Sequence, residues 1–177
     1  MNIQLIITGN TITNNDLQFL RNTYYSAVEN EEEIKKLNSF IVSKYGNNIE
    51  TYPAIIIAYY AGIEALFSKH AFWITTKYKH LVKSMDLFEK AVSKESDNLE
   101  IRFMRFSILH YVPSIVGYGE ERESDLNAVY NLLLNKQYSI VPKEIQKGMI
   151  QFLIDSDRLE NEKAETLTKL INELAIR

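Results

Sequence analysis

The chain has 177 residues, with 20 basic and 23 acidic side chains and a formal net charge of −3. Its 46% hydrophobic and 24% charged residues form a globular mixture, long enough to bury a sizeable core. Both charge signs are interspersed without a basic stripe, which argues against nucleic acid as a partner. With no cysteine in the chain, disulfides, thiolate nucleophiles and cysteine-held zinc or iron–sulfur sites are excluded.

In residues 1–13, Ile3, Leu5 and Ile7 alternate with polar residues like a short strand. No second strand is evident to pair with it, so this stretch is expected to be an extended or disordered arm. The Met1–Asn10 segment has no basic start, and its apolar run is too short for a secretory signal. The reading is a cytoplasmic protein, unless a leader precedes this sequence.

Asn14 or Asn15 is a suitable cap for a first helix reaching about Asn30, with Leu17, Leu20, Tyr24, Ala27 and Val28 on one face. Glu31, Glu32 and Glu33 suit the start of a second helix, where negative charge is favoured, and Gly46 suits its end. Thr51 and Pro53 open a third helix, to about Lys69, that is apolar nearly all round and therefore belongs at the centre. Its apolar stretch, Pro53 to Phe67, contains Glu64 and falls short of the roughly 20 residues a membrane span needs.

Residues 70–76 read as an irregular or weakly helical connection, and a fourth helix over about 77–94 carries Tyr78, Leu81, Val82, Met85, Phe88 and Val92 as an inward stripe. Asp97 or Asn98 caps a fifth helix that ends before Pro113. After the Gly117-Tyr118-Gly119 loop, a sixth helix starts near Ser124, a seventh at Pro142, and an eighth covers about 160–176. The spacing thus predicts an all-α fold over 14–177, read as one domain. About eight helices are joined by short links into antiparallel hairpins, as a right-handed superhelix or a compact bundle.

Ser84, Phe88 and Ala91 have the small–aromatic–alanine spacing of the second helix of a tetratricopeptide (TPR) repeat, and Tyr60, Ala61-Gly62 and Leu66 suit its first helix. The run from Phe88 to Val92, leading to Ser96-Asp97-Asn98, resembles the end of such a unit. Ser96 stands where the family usually has proline, and the connection to Ser84 is roughly ten residues longer than a TPR unit of about 34 residues allows. The stretch Asn98 to Phe106, with Pro113 and Tyr118, is similar to a block in small bacterial TPR-like proteins of unknown function. The resemblance covers about a quarter of the chain and implies a helical-hairpin fold without naming an activity or a cofactor.

Arg102 and Arg105 lie three apart on one helix face among apolar neighbours. Glu64, the one charge in the apolar third helix, needs a cation. An ion pair from Glu64 to Arg102 or Arg105 would join two hairpins; alternatively, one arginine stays free to hold the carboxylate or phosphate of a ligand. Glu120, Glu121, Glu123 and Asp125 lack the spacing of a calcium loop and are explained by a helix start. His70, His80 and His110 lack metal-ligand spacing and read as surface or helix-end residues.

No catalytic motif is present, so the sequence reading is a non-catalytic interaction or scaffolding module for a protein or peptide. Tyr60, Glu64, Arg102, Arg105 and Tyr118 are its candidate contact residues, in a groove between the third, fourth and fifth helices. The alternatives are a binder of small anionic ligands or an unrecognised enzyme built on Arg102 and Arg105, and a subunit that dimerises through an apolar face.

Overall fold

A computed structural model describes residues 12–136 and 141–176. The expected N-terminal arm, 1–13, lies almost wholly outside them. Among the described residues there are eight α-helices and no strand: α1 (Asn14–Ala27), α2 (Glu31–Tyr45), α3 (Ala54–His70), α4 (Ile74–Lys94), α5 (Leu99–His110), α6 (Gly119–Leu134), α7 (Lys143–Asp155) and α8 (Asn161–Ile176). The backbone packs as two compact units, Met1–Ala91 and Val92–Arg177, and each is described by itself.

In the first unit, α1 starts one residue earlier than expected because Thr13, not an asparagine, caps it. Its hydroxyl accepts from the Asp16 N–H, while the Asp16 carboxylate accepts from the Thr13 N–H at 2.8 Å. This reciprocal pairing satisfies two helix-start donors at once. Lys44 of α2 closes on the same carboxylate at 2.5 Å. The α2 bounds agree with the expectation: Asn30 caps it, three glutamates fill its first turn, and Gly46 ends it at φ 79°.

Helix α3 is buried over nearly its whole circumference, as its apolar sequence requires. Gly62 lets it approach α1, because a Cβ there would stand 2.6 Å from Cε2 of the Tyr24 ring. Thr51 does not cap α3. It lies in a single 3₁₀ turn, where its hydroxyl donates to the Asn48 carbonyl.

Helices α3 and α4 run antiparallel, as their bonds show. The Ser84 hydroxyl donates to the Ala61 carbonyl at 2.8 Å, and the Ser68 hydroxyl donates to the Lys77 carbonyl at 2.8 Å. Ser84, Phe88 and Ala91, the residues that carry the TPR resemblance, are wholly buried. Helix α4 begins at Ile74, three residues before the expected start, so residues 74–76 of the expected connection belong to it.

In the second unit, Asn98 caps α5 by accepting from two backbone N–H groups. Helix α6 begins at Gly119, five residues before Ser124, because Tyr118 takes a left-handed conformation at φ 65° and turns the chain into it. The core joins α5, α6, α7 and α8 through residues such as Phe106, Val129, Leu133, Ile150, Leu153 and Leu167. Burying each such aliphatic or aromatic side chain contributes about 1.5–3 kcal/mol. The Phe152 ring meets both Phe103 and Phe106 edge-on.

Candidate functional site

The first candidate node belongs to α3 and α4. Glu64 is buried, and both of its oxygens are occupied: Oε2 lies 2.7 Å from Nδ1 of His80, and Oε1 accepts from Nζ of Lys83 at 2.6 Å. The cation that Glu64 was expected to need is supplied within its own hairpin, by Lys83 of α4. His80 and Lys83 lie one helical turn apart on α4, and the antiparallel register of the hairpin brings them to Glu64. Tyr60, one turn before Glu64, meets Tyr52 edge-on at 6.2 Å, and Lys83 lies over its ring at 5.8 Å. His80, read from sequence as a surface or helix-end residue, therefore anchors a buried carboxylate.

Arg102 and Arg105, read from sequence as ion-pair residues or, alternatively, as a ligand site, form a second node within the other unit. Asp125 of α6 is wholly buried. Arg105 reaches it twice, Nε to Oδ2 at 2.6 Å and Nη2 to Oδ1 at 2.9 Å, and Arg102 donates from Nη1 to Oδ1 at 2.8 Å. The Arg102 Nε donates to the Ser96 carbonyl at 2.7 Å. A carboxylate held by two arginines balances its own desolvation with charge-assisted hydrogen bonds, and here it ties α5 to α6. Asp125 thus occupies the donors that the alternative reading left free for an anionic ligand. Tyr118 is half-buried at the start of α6.

A third cluster was missed in the sequence. Arg158, in the link between α7 and α8, donates from Nε to Nδ1 of His110 at 3.0 Å and from Nη2 to the His110 carbonyl at 3.3 Å. Desolvation, together with the charges of Arg158 and Arg122, lowers the affinity of His110 for a proton. His110 precedes Arg158 by 48 residues, so no local pattern signalled the pairing.

The fourth feature is a corner of the first unit where α3 hands over to α4. Phe72, Trp73, Ile74 and Tyr78 are 86%, 69%, 76% and 57% exposed. The Phe72 and Trp73 rings meet edge-on with centroids 5.1 Å apart. Tyr78 was expected in the inward stripe of α4; it lies one turn beyond Ile74 and is exposed like it. The corner has a polar frame. Lys77 donates to the Lys69 carbonyl at 2.8 Å and caps the end of α3. Lys69 pairs with Glu29 at 2.7 Å, and His70 lies 3.7 Å from Glu31.

Among the described residues, no group of three or more histidine and carboxylate side chains is placed to hold a metal ion. No helix among them is long and apolar enough to cross a membrane. Compared with known proteins, the chain matches no family model, no curated protein and no solved structure.

Proposed function

We propose that the protein is a non-catalytic interaction module that docks through the Phe72-Trp73-Ile74-Tyr78 corner onto an apolar pocket of a partner protein. The observation that carries this reading is the exposure of three consecutive large apolar residues where α3 hands over to α4. Single exposed hydrophobic residues need no explanation, whereas a contiguous patch of them marks an interaction surface. Leaving Phe72 and Ile74 in water forgoes about 1.5–3 kcal/mol for each, which a pocket on a partner would recover. Tryptophan, tyrosine and phenylalanine are also the residues that anchor interfaces.

The corner projects outward, so it suits insertion into a partner's pocket rather than enclosure of a peptide. Its frame carries both signs, with Glu29 and Glu31 beside Lys69 and His70. A mixed-charge rim matches the polar rim of a protein interface and is a poor match for an anionic bilayer. The ionic node around Glu64 joins the two helices that carry this surface, with both carboxylate oxygens engaged from α4.

The test is an affinity capture from the native cells with wild type and with a Phe72→Ser/Trp73→Ser/Ile74→Ser variant. The reading expects a protein recovered by wild type and lost with the variant, while both melt at the same temperature. Equal recovery by both would place the contact elsewhere. Binding of wild type to anionic vesicles, or dimerisation abolished by the triple variant, would replace the partner protein with a membrane surface or a second copy of the chain.

A further inference from the structure

His80 differs from the other two histidines in that a carboxylate holds one ring nitrogen while the other is open. Its Nδ1 lies 2.7 Å from Oε2 of buried Glu64, which places the ring proton on Nδ1 and the lone pair on Nε2. Nε2 makes no hydrogen bond among the described residues and reaches solvent, on a side chain that is 31% exposed. The Phe67 ring of α3 packs against the imidazole, with centroids 5.6 Å apart. By contrast, Nε2 of His70 is buried, and Nδ1 of His110 faces a cation, Arg158.

A neutral imidazole with an open Nε2 is a nucleophile. A carboxylate on its Nδ1–H fixes the ring and balances the positive charge the ring takes on when Nε2 forms a bond. The surroundings favour one kind of electrophile. Lys83, one turn after His80, donates to the other oxygen of Glu64 at 2.6 Å, yet its side chain is half exposed and its ammonium has further donors. Lys79 is exposed and makes no ion pair among the described residues. No acidic residue occurs between Glu64 and Asp86, an interval that holds Lys69, Lys77, Lys79 and Lys83. Cations beside a nucleophile stabilise an incoming group that is itself anionic, which a phosphoryl group is and an acyl group is not.

We propose that His80 is a phosphoryl-acceptor site, modified on Nε2 by a donor of the acyl phosphate or phosphoramidate class. The Nε2 lone pair forms the N–P bond as the P–O bond of the acyl phosphate, or the P–N bond of the phosphoramidate, breaks. The leaving group departs with the electron pair, as a carboxylate or as ammonia. Nδ1 keeps its proton, so the product is an imidazolium bearing a dianionic phosphoryl group. Glu64 balances the charge of the ring, and Lys83 and Lys79 that of the phosphoryl group. The chain is the acceptor and the donor supplies the driving force, so the module itself needs no catalytic machinery. The inference does not depend on the docking reading for the corner.

The experiment incubates the full chain at neutral pH with phosphoramidate and, separately, with acetyl phosphate, each with free imidazole in the same tube as a standard. Phosphorus NMR follows the reaction, and mass spectrometry of peptides prepared without acid locates the label. The site predicts a phosphoryl group on Nε2 of His80, formed about tenfold or more faster than on His70, His110 or the free imidazole. The reagent that reacts faster with His80, relative to the standard, identifies the donor class. Glu64→Gln keeps the shape of the side chain and removes its charge, and should slow labelling of His80 by about tenfold or more. Lys83→Gln should slow it by about tenfold, the loss of a charge-assisted contact to the phosphoryl group. Neither change should alter labelling of the standard. Because Lys83 is half exposed, its variant remains a folded control if Glu64→Gln unfolds. Labelling of His80 no faster than that of imidazole, labelling spread evenly over the three histidines, or an unchanged rate in folded Lys83→Gln would overturn the proposal.

Discussion

Arg105 grips Asp125 with two donors, Nε at 2.6 Å from Oδ2 and Nη2 at 2.9 Å from Oδ1, and the aspartate is wholly buried. Replacing Asp125 with alanine leaves two arginines facing an empty, largely dry site. Breaking a buried pair from one side costs about 3–5 kcal/mol. Urea denaturation should show this loss for Asp125→Ala. The joint replacement Arg105→Met/Asp125→Leu should cost less than Asp125→Ala alone, because it strands no charge at Arg105. Arg102→Ala should be the mildest change, since Arg105 still holds the carboxylate.

Acid should weaken the first unit through Asp16. Burial alone would raise this carboxyl, but the bonds from Lys44 and Thr13 outweigh it and hold Asp16 below its ordinary value. A carboxylate depressed in the folded state contributes stability that is fully present above its unfolded value. That stability is lost as pH falls through the folded value. The stability–pH curve of Asp16→Asn should therefore be flatter than wild type below about pH 4. Near neutral pH the variant should be weaker by about 1 kcal/mol, the typical worth of a helix cap. Parallel denaturation curves at several pH values check both parts.

His110 bears on a higher pH window with the same sign. Its proton affinity is lowered in the fold, first by desolvation and then by Arg158 and Arg122. The unfolded chain therefore binds the extra proton first, and stability falls as pH drops below the ordinary histidine value of 6.5. His110→Gln should remove this slope between neutral pH and the lowered folded value.

Gly62→Ala should destabilise although alanine is the better helix former. Its Cβ would meet the Tyr24 ring at 2.6 and 2.9 Å, and that ring is itself packed edge-on against Tyr59. Overpacking of this kind costs about 1–3 kcal/mol. In a Tyr24→Leu background the same substitution should cost less, and a double-mutant cycle measures the difference.

Helix α2 was legible in the sequence because each of its ends carries its own chemistry, Glu31, Glu32 and Glu33 at the start and Gly46 at the finish. The central place of α3 was legible because it has no polar face. What could not be read was which charge meets which. Arg102 and Arg105 belong to one cluster, as their spacing implies, but their acceptor is Asp125 of the next helix. Glu64 finds Lys83 and His80 on the helix that follows it, through a register that only the folded hairpin defines. Phe72, Trp73 and Ile74 were passed over because a short apolar run reads as core or connection until its exposure is known. The start of α6 was misplaced because Tyr118, a residue that rarely adopts positive φ, makes the turn.

Trp73 is the one tryptophan of the chain, so it reports directly on the corner. The most direct measurement of the central claim places a photo-cross-linking residue at position 73 and, as a control, at exposed Glu173, and irradiates the native cells. Docking through the corner predicts a discrete adduct with one partner protein from position 73 and none from position 173. The account is contradicted if position 73 gives no adduct, or if both positions give the same one.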